Sequence, residues 1–316
     1  MSNSVQATAQ LVSCIEALRG SVSPTLVATR KESSFSDKSC VIIDKGMRET
    51  IELAMAMSDA GCRTHVQLFG GTGSGKSTIA RYILEEAGKT YVRVQCSKGM
   101  DSEELIGSTV TDPTSESGFS FQWGVMIEAA INGWAVILEE IDSLNPDKSF
   151  HLFPLLDDSP EYTAVAQGHV RQVIKHPGFM VIATSNTNGS GENSHLFVGT
   201  EVMNKALLRR FVIKYDVPYL KPREEADLLQ RKTGIGKAEA EALAAIGAET
   251  RTSKFLAEAS SPVSTAHLIG MAQAIVANQE QKLGLKPEKI AELTFVNEFP
   301  TEVRPTLLTL VRNKLR

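Results

Sequence analysis

Short apolar runs alternate with helix-length stretches through the middle of the chain. The runs predict five strands, at residues 65–69, 91–94, 135–138, 179–183 and 211–217. Strands that alternate with helical stretches are typical of a parallel sheet whose crossover helices cover both faces. We therefore predict an α/β fold with a doubly wound, five-stranded parallel sheet.

Helical periodicity flanks the predicted sheet on both sides. Apolar positions between 45 and 60 fall on one helix face, and Gly61 ends that helix. After Pro218 the strand-like runs stop, and the periodicity predicts four helices at 223–232, 237–250, 265–277 and 288–293. We predict three parts: an N-terminal arm at 1–40 with one amphipathic helix at 7–18, an α/β domain at 41–219 and a helical lid domain at 220–316.

Composition and charge exclude few classes of protein. A net charge of −4, a pI near 5.9 and 42% hydrophobic residues give no reason to expect broad binding to nucleic acid or to a membrane surface. The cysteines form no CxxC pair, which argues against a zinc site and a disulfide framework; they are Cys14, Cys40, Cys62 and Cys96. The N-terminus lacks a basic start and an apolar core, and no apolar run approaches the roughly 20 residues of a membrane helix. We expect reduced thiols and a cytoplasmic protein.

A glycine-rich loop follows the first predicted strand and precedes a helical stretch. Residues 70–77 have the sequence GGTGSGKS, which matches the phosphate-loop pattern GxxxxGK[ST]. Glycines let backbone N–H groups turn toward phosphate oxygens, Lys76 reaches the β and γ phosphates, and the Ser77 hydroxyl can bind Mg²⁺. The alternative, a glycine-rich turn with a solvated lysine, does not explain a lysine followed by a hydroxyl at this spacing. We predict ATP and Mg²⁺ as cofactors, bound by Gly71, Thr72, Gly73, Ser74, Gly75, Lys76, Ser77 and Thr78.

Two carboxylates end the third predicted strand, whose sequence from 135 to 140 is AVILEE. Ligands of such sheets bind beyond the carboxyl ends of the strands, and the segment resembles a Walker B element. We expect Glu139 to hold Mg²⁺ through a water and Glu140 to polarise the water that attacks the γ phosphate. The usual first acid is aspartate, so Glu139 predicts slow or altered hydrolysis. The alternative is a solvated acidic turn before Asp142.

A polar segment, TSNTN at 184–188, ends the fourth predicted strand. Asn186 is expected to orient the attacking water, the role called sensor 1. An asparagine-rich turn is the alternative. Because several parallel strands end in polar groups at one edge, we predict that Lys76, Glu140 and Asn186 are catalytic.

These residues resemble the AAA+ family, and within it the branch of MoxR-type ATPases and metal-chelatase ATPase subunits, with the small ATPase subunits of aerobic cobalt chelatases most similar. The likeness spans roughly 47–315 and is densest in HPGF at 176–179, ATSNT at 183–187, GT at 199–200, MN at 203–204 and LRRF at 208–211. MDSEELIG at 100–107 and WGVM at 123–126 also fit. The resemblance implies inserted hairpins near 111–121 and 162–174.

The resemblance also implies residue roles outside the phosphate loop. Arg210 is expected to be an arginine finger that projects into the nucleotide of a neighbouring subunit, with Arg209 as the competing candidate. Such residues contribute about 10³ to 10⁵ in rate. A surface basic pair that packs its stems on a helix is the alternative. Ala266 stands where the family usually has its lid arginine, sensor 2. His267 is a candidate for partial substitution, and a structural histidine on the helix face is the alternative.

The family implies a homo-oligomeric ring, usually a hexamer, that hydrolyses ATP and remodels a protein partner, often one with a von Willebrand A domain. A narrower version is a cobalt-chelatase motor subunit that acts with partner subunits. Glu139 and Ala266 leave open a nucleotide-switched assembly scaffold with little hydrolysis. A DNA-linked phage or defence motor is a third alternative, to which the acidic composition gives no support.

Overall fold

The computed structural model describes residues 41–62, 64–101, 105–189, 203–252, 255 and 261–315. The predicted arm at 1–40, its helix at 7–18 and the Gly199-Thr200 pair lie outside these residues. The α/β part contains α1 Lys45–Asp59, β1 Val66–Phe69, α2 Lys76–Glu86, β2 Tyr91–Gln95, β3 Gly107–Thr111, β4 Phe119–Trp123, α3 Val125–Asn132, β5 Ala135–Glu139, α4 Phe153–Leu156, β6 Glu161–Ala166, β7 His169–Ile174, β8 Met180–Ser185, α5 Lys205–Leu208 and β9 Ile213–Asp216.

Five parallel strands form the central sheet in the order β2-β5-β8-β1-β9, which confirms the predicted α/β fold and its five strands. The register places Phe69 opposite both Ser185 and Asp216, and Gln95 opposite Glu139. The carboxyl ends of all five strands therefore meet at one edge, where ligands of open α/β sheets bind.

Two apolar layers cover the sheet. On β5, Val136 and Leu138 pack into one layer, whereas Ala135 and Ile137 pack into the other. A strand buried on both faces needs a continuous apolar run, which is why this segment lacks alternation.

Two antiparallel hairpins project from the α/β part and confirm the inserted hairpins. They are β3–β4 and β6–β7. The hairpins touch: the Thr109 N–H donates to Gln167 Oε1 at 2.7 Å, and the rings of Phe121 and His169 lie 4.4 Å apart. Arg171 of β7 lies 3.8 Å from Glu128 of α3, so the second hairpin also contacts the helix before β5.

The described residues after β9 are helical: α6 Pro222–Thr233, α7 Lys237–Thr250, α8 Thr265–Glu280, α9 Pro287–Thr294 and α10 Arg304–Lys314. The first four confirm the predicted helices, whereas α10 was not predicted. These helices bury an apolar core of their own, which extends from Ala226 to Val311. The domain boundary at residue 219 stays a prediction.

Within the described residues, no helix is long and apolar enough to cross a membrane. Cys62 and Cys96 are free thiols, and no group of three or more His, Cys, Asp or Glu side chains among these residues is arranged to hold a metal ion.

Candidate nucleotide-binding site

The phosphate loop joins β1 to α2 in a conformation that needs glycine. Gly73 and Gly75 have φ angles of 75° and 91°, in the left-handed region that side chains disfavour. Gly75 is also the N-cap of α2, so the free N–H groups of that helix begin inside the loop. A helix N-terminus preceded by such a loop is a ready anion site.

Lys76 is enclosed by the loop and is only 8% exposed. Its Nζ donates to the carbonyls of Gly70 at 2.7 Å and Gly71 at 3.0 Å, and lies 3.5 Å from Asn186 Oδ1. Burial lowers the pKa of Lys76 to about 8, although the carboxylates of Asp142, Glu140 and Asp216 partly oppose that shift. The structure thus brings Lys76 and Asn186 together, and no carboxylate in the described part of the chain forms a salt bridge with this cation.

Asp142 anchors the segment that carries Asn186. Its Oδ2 accepts the N–H groups of Asn186 at 2.8 Å and Thr187 at 3.3 Å. The side chain is fully buried, which raises its pKa, while those two N–H bonds oppose the rise. Sequence reasoning missed this role, because the acid was considered only as part of a solvated turn.

Glu140 lies just beyond β5 with a φ angle of 54°, which is uncommon for a residue other than glycine. Its N–H donates to Thr184 Oγ1 at 3.3 Å, and its Oε2 accepts from Gln95 Nε2 at 3.0 Å. Left-handed residues of this kind cluster at functional sites. Gln95, at the end of β2, is a further site residue that the sequence did not reveal.

Glu139 is held by an arginine rather than left free. Arg93 Nε donates to its Oε1 at 3.1 Å, and Arg93 Nη2 donates to its Oε2 at 2.7 Å. The glutamate side chain is 8% exposed and the arginine 47% exposed. The forked contact occupies both carboxylate oxygens that were expected to serve a metal-bound water.

The residue types at this edge fit a Mg²⁺ ion brought by nucleotide phosphates. Such an ion takes only one or two protein ligands and fills its sphere with waters and phosphate oxygens. Ser77, half-buried in the first turn of α2, and Glu139 would hold it. Arg93 and such an ion would compete for the Glu139 carboxylate.

A cavity of about 230 Å³ lies between the loop and the helical part. It is mainly apolar and is large enough for a flat heterocyclic ring beside the phosphate cradle. Lining side chains that sequence reasoning missed are Val41, Ile42, Leu220, Leu228, Lys232 and Ile269. They come from distant parts of the chain, and no local motif marks them.

The two arginines before Phe211 have different surroundings. Arg210 Nε donates to the Phe153 carbonyl at 3.0 Å, its Nη1 donates to the Ala206 carbonyl at 2.9 Å, and its guanidinium lies 4.4 Å from the Phe153 ring centre. Arg209 is exposed. Arg210 is tied to two backbone carbonyls and an aromatic ring, whereas Arg209 is exposed and is the freer group.

The start of α8 offers no cationic side chain at position 266, and the histidine beside it is engaged in other contacts. Ala266 lines the cavity. His267 Nδ1 accepts the Ser264 N–H at 3.1 Å, and its Nε2 lies 3.0 Å from Glu298 Oε2. His267 therefore completes the capping box of α8 with Ser264, which agrees with the structural alternative for this histidine.

The strand order, the glycine loop and the polar strand ends together define a P-loop NTPase of the AAA+ class. Residues 65–211, a little under half of the chain, match the AAA domain family of the dynein-related subfamily. The fold agrees with a solved RuvB mutant from Thermotoga maritima, at a TM-score of 0.51 and 16% identity over 82% of this chain and 72% of that one.

The relatives include an aerobic cobaltochelatase subunit CobS from Sinorhizobium sp., 29% identical over 53% of this chain and 50% of that protein. YojN, an uncharacterised protein from Bacillus subtilis, is 33% identical over 50% of this chain and 48% of its own length. Midasin from Dictyostelium discoideum is 30% identical over 46% of this chain and 2% of its own length. The chain thus spans at most about half of these three relatives, and its AAA+ domain is related to that of CobS, as the sequence predicted.

Proposed function

We propose that this protein binds and hydrolyses ATP, assembles as a ring and remodels a protein partner. The observation that carries the proposal is the meeting of Lys76, Asn186 and Glu140 at one sheet edge. The adjoining cavity supplies an apolar slot for the base.

We assign the side chains the following roles, with which their contacts agree. Loop N–H groups and Lys76 bind the β and γ phosphates, and Mg²⁺ neutralises charge on those phosphates when it is bound. Asn186 orients the attacking water, while Glu140 accepts its proton. Gln95 competes with the attacking water for one oxygen of the Glu140 carboxylate.

Measurements of ATP affinity and phosphate release test this proposal. We expect the native protein to bind and hydrolyse ATP, Lys76→Met to lose most binding, and Glu140→Gln to bind ATP but release little phosphate. Lys89→Met is a matched control, because Lys89 is a partly buried lysine outside the phosphate loop. Its Nζ lies 3.7 Å from Asp59 Oδ1. Absence of ATP binding by the native protein would refute the proposal.

A nucleotide-switched scaffold with little hydrolysis is the second candidate, and two observations favour it. Arg93 occupies the carboxylate of Glu139, and alanine stands at 266. Equal, near-zero phosphate release by the native protein and by Glu140→Gln, with ATP binding intact in both, would support the scaffold and exclude the motor.

The ring and its partner are the less direct part of the proposal. AAA+ proteins typically form rings, and the exposed Arg209 or the tethered Arg210 would act across the subunit boundary. A protein with a von Willebrand A domain is the proposed client. Identification of proteins that co-purify with ATP-loaded Glu140→Gln tests this, because that variant should retain its partners; no reproducible partner would argue against remodelling.

The relation to CobS motivates a narrower proposal, an ATPase subunit that supports cobalt insertion into a tetrapyrrole. Purified protein mixed with cobalt, the tetrapyrrole and CobS-type partner subunits should then yield the metallated product in an ATP-dependent manner. ATP hydrolysis without metal insertion would exclude the chelatase role and leave the motor intact.

A further inference from the structure

Tyr219, in the segment between β9 and α6, contacts the phosphate loop. Its hydroxyl donates to the Thr72 carbonyl at 2.8 Å. The φ angle of Gly71 is not positive, so the backbone does not require glycine there. A Cβ at that position, however, would lie 2.3 Å from Tyr219 Oη. Gly71 therefore has a role that the phosphate-loop pattern does not demand, which is to admit Tyr219.

The contact fixes the direction of one N–H group in the loop. The peptide from Thr72 to Gly73 is trans, as are all peptides of the described residues, and its carbonyl points to Tyr219. In a planar trans peptide the N–H points opposite to the carbonyl. The Gly73 N–H is consequently directed away from Tyr219, and loops of this kind bind phosphate through such N–H groups.

The Tyr219 ring is held in turn by an ion pair of the helical part. The Arg251 guanidinium lies 4.2 Å from the ring centre and donates to Glu225 at 2.9 and 2.8 Å. Glu225 is fully buried on α6, and Thr265, the first residue of α8, donates to it at 2.6 Å. A continuous set of contacts thus connects the loop with α6, the end of α7 and the start of α8.

We propose that Tyr219 and Arg251 are positioning residues that couple the phosphate loop to the helical part, so that nucleotide at the loop is sensed without an arginine at 266. The inference rests on the proposed nucleotide binding. Because coupling between two sites is reciprocal, ordering of the helices strengthens nucleotide binding as much as nucleotide orders the helices. Burial raises the pKa of Tyr219 to about 12, so its hydroxyl remains a donor at neutral pH.

Tyr219→Phe tests the proposal, because it removes the hydroxyl and keeps the ring against Arg251. Tyr91→Phe is the matched control: Tyr91 Oη bonds to Glu85 Oε1 at 2.6 Å, at the amino end of β2 and therefore at the opposite edge of the sheet. The measurements are the affinity for a fluorescent ADP analogue, and amide hydrogen exchange of the loop, α6 and α8 with and without saturating ADP.

In the native protein and in Tyr91→Phe, ADP should slow exchange in the loop and in both helices. In Tyr219→Phe we expect binding weaker by about 2- to 10-fold, the worth of one hydrogen bond, and protection of the loop without protection of the helices. Arg251→Lys, which keeps the charge but loses the fork, should give the same pattern.

The outcomes separate the two proposals. If the native protein binds ADP, and ADP still slows exchange in α6 and α8 of Tyr219→Phe, the coupling proposal is wrong and the ATP-binding proposal stands. If the native protein binds neither ADP nor ATP, both are wrong. Thermal unfolding of the nucleotide-free variants shows whether Arg251→Lys is folded, and Tyr219→Phe decides the question if it is not.

Discussion

Glu139→Asp isolates the contact that holds the predicted metal-site acid. The substitution removes one methylene, so the carboxylate withdraws by about the length of a C–C bond, ~1.5 Å. The two contacts to Arg93 are now 3.1 and 2.7 Å. Withdrawal by this amount takes both beyond hydrogen-bonding distance, while an acid remains at the end of β5.

The magnitude follows from the exposure of the pair. A hydrogen bond to a charged group contributes about 1.5–3 kcal/mol, and the 47% exposure of Arg93 reduces that through solvent screening. We take about 1–2 kcal/mol for the lost contact. If Arg93 competes with Mg²⁺ for this acid, release of the competition should lower the half-saturating Mg²⁺ concentration by about 5- to 30-fold, since 1.4 kcal/mol is a factor of ten.

The assay is a Mg²⁺ titration of nucleotide binding with a fluorescent ADP analogue, together with urea unfolding. Glu86→Asp is the control, because Glu86 forms a comparable contact with Arg48 at 2.7 Å on the α1–α2 surface. We expect the control to leave the Mg²⁺ dependence unchanged. An unchanged or higher half-saturating concentration in Glu139→Asp, with ADP binding intact, would refute competition by Arg93.

Three further predictions concern neighbouring groups. The pKa of Lys76 is about 8 in the folded protein against 10.5 in the unfolded chain, so the unfolded chain binds more protons between these two pH values. The unfolding free energy of the nucleotide-free protein should therefore rise by about 3 kcal/mol from this group as the pH increases through that range. Urea titrations of Lys76→Met should lack this gain. Gln95→Leu should free Glu140 and raise phosphate release by about 2- to 10-fold, the worth of one hydrogen bond. An unchanged rate would show that this contact does not restrict Glu140. Arg210→Met should lower the unfolding free energy by about 1–3 kcal/mol because it removes two hydrogen bonds to backbone carbonyls. If Arg209 is the finger, Arg209→Met should change the unfolding free energy by less than about 0.5 kcal/mol and reduce phosphate release only in the assembled protein. Loss of phosphate release in Arg210→Met but not in Arg209→Met would assign the finger role to Arg210.

Local patterns predicted most of the fold, and their errors have physical causes. The last strand was predicted at 211–217 but spans Ile213–Asp216. Phe211 is 1% exposed and packs into the core beside the sheet rather than pairing within it. Phe211 therefore fitted the apolar pattern of a strand because it is buried, although it lies outside β9. Helix α10 was missed although Pro305, in its first turn, is compatible with a helix start.

The candidate site likewise contains residues that a local sequence pattern predicts and contacts between residues far apart in the sequence. The phosphate loop could be predicted because its residues are contiguous and each has a chemical requirement. The contact between Arg93 and Glu139 depends on the register of β2 against β5, in which Arg93 lies opposite Ile137. Tyr219 reaches Thr72 across 147 positions of sequence. A single sequence does not encode such pairings in any local pattern.

The contact between the two hairpins has a mechanical consequence. A hydrogen bond and a ring contact tie them together, and Arg171 ties the second hairpin to Glu128 on α3. A force applied to the tip of either hairpin is thus shared by both hairpins. It is transmitted to α3, the helix that leads directly into β5 and the paired acids at its end.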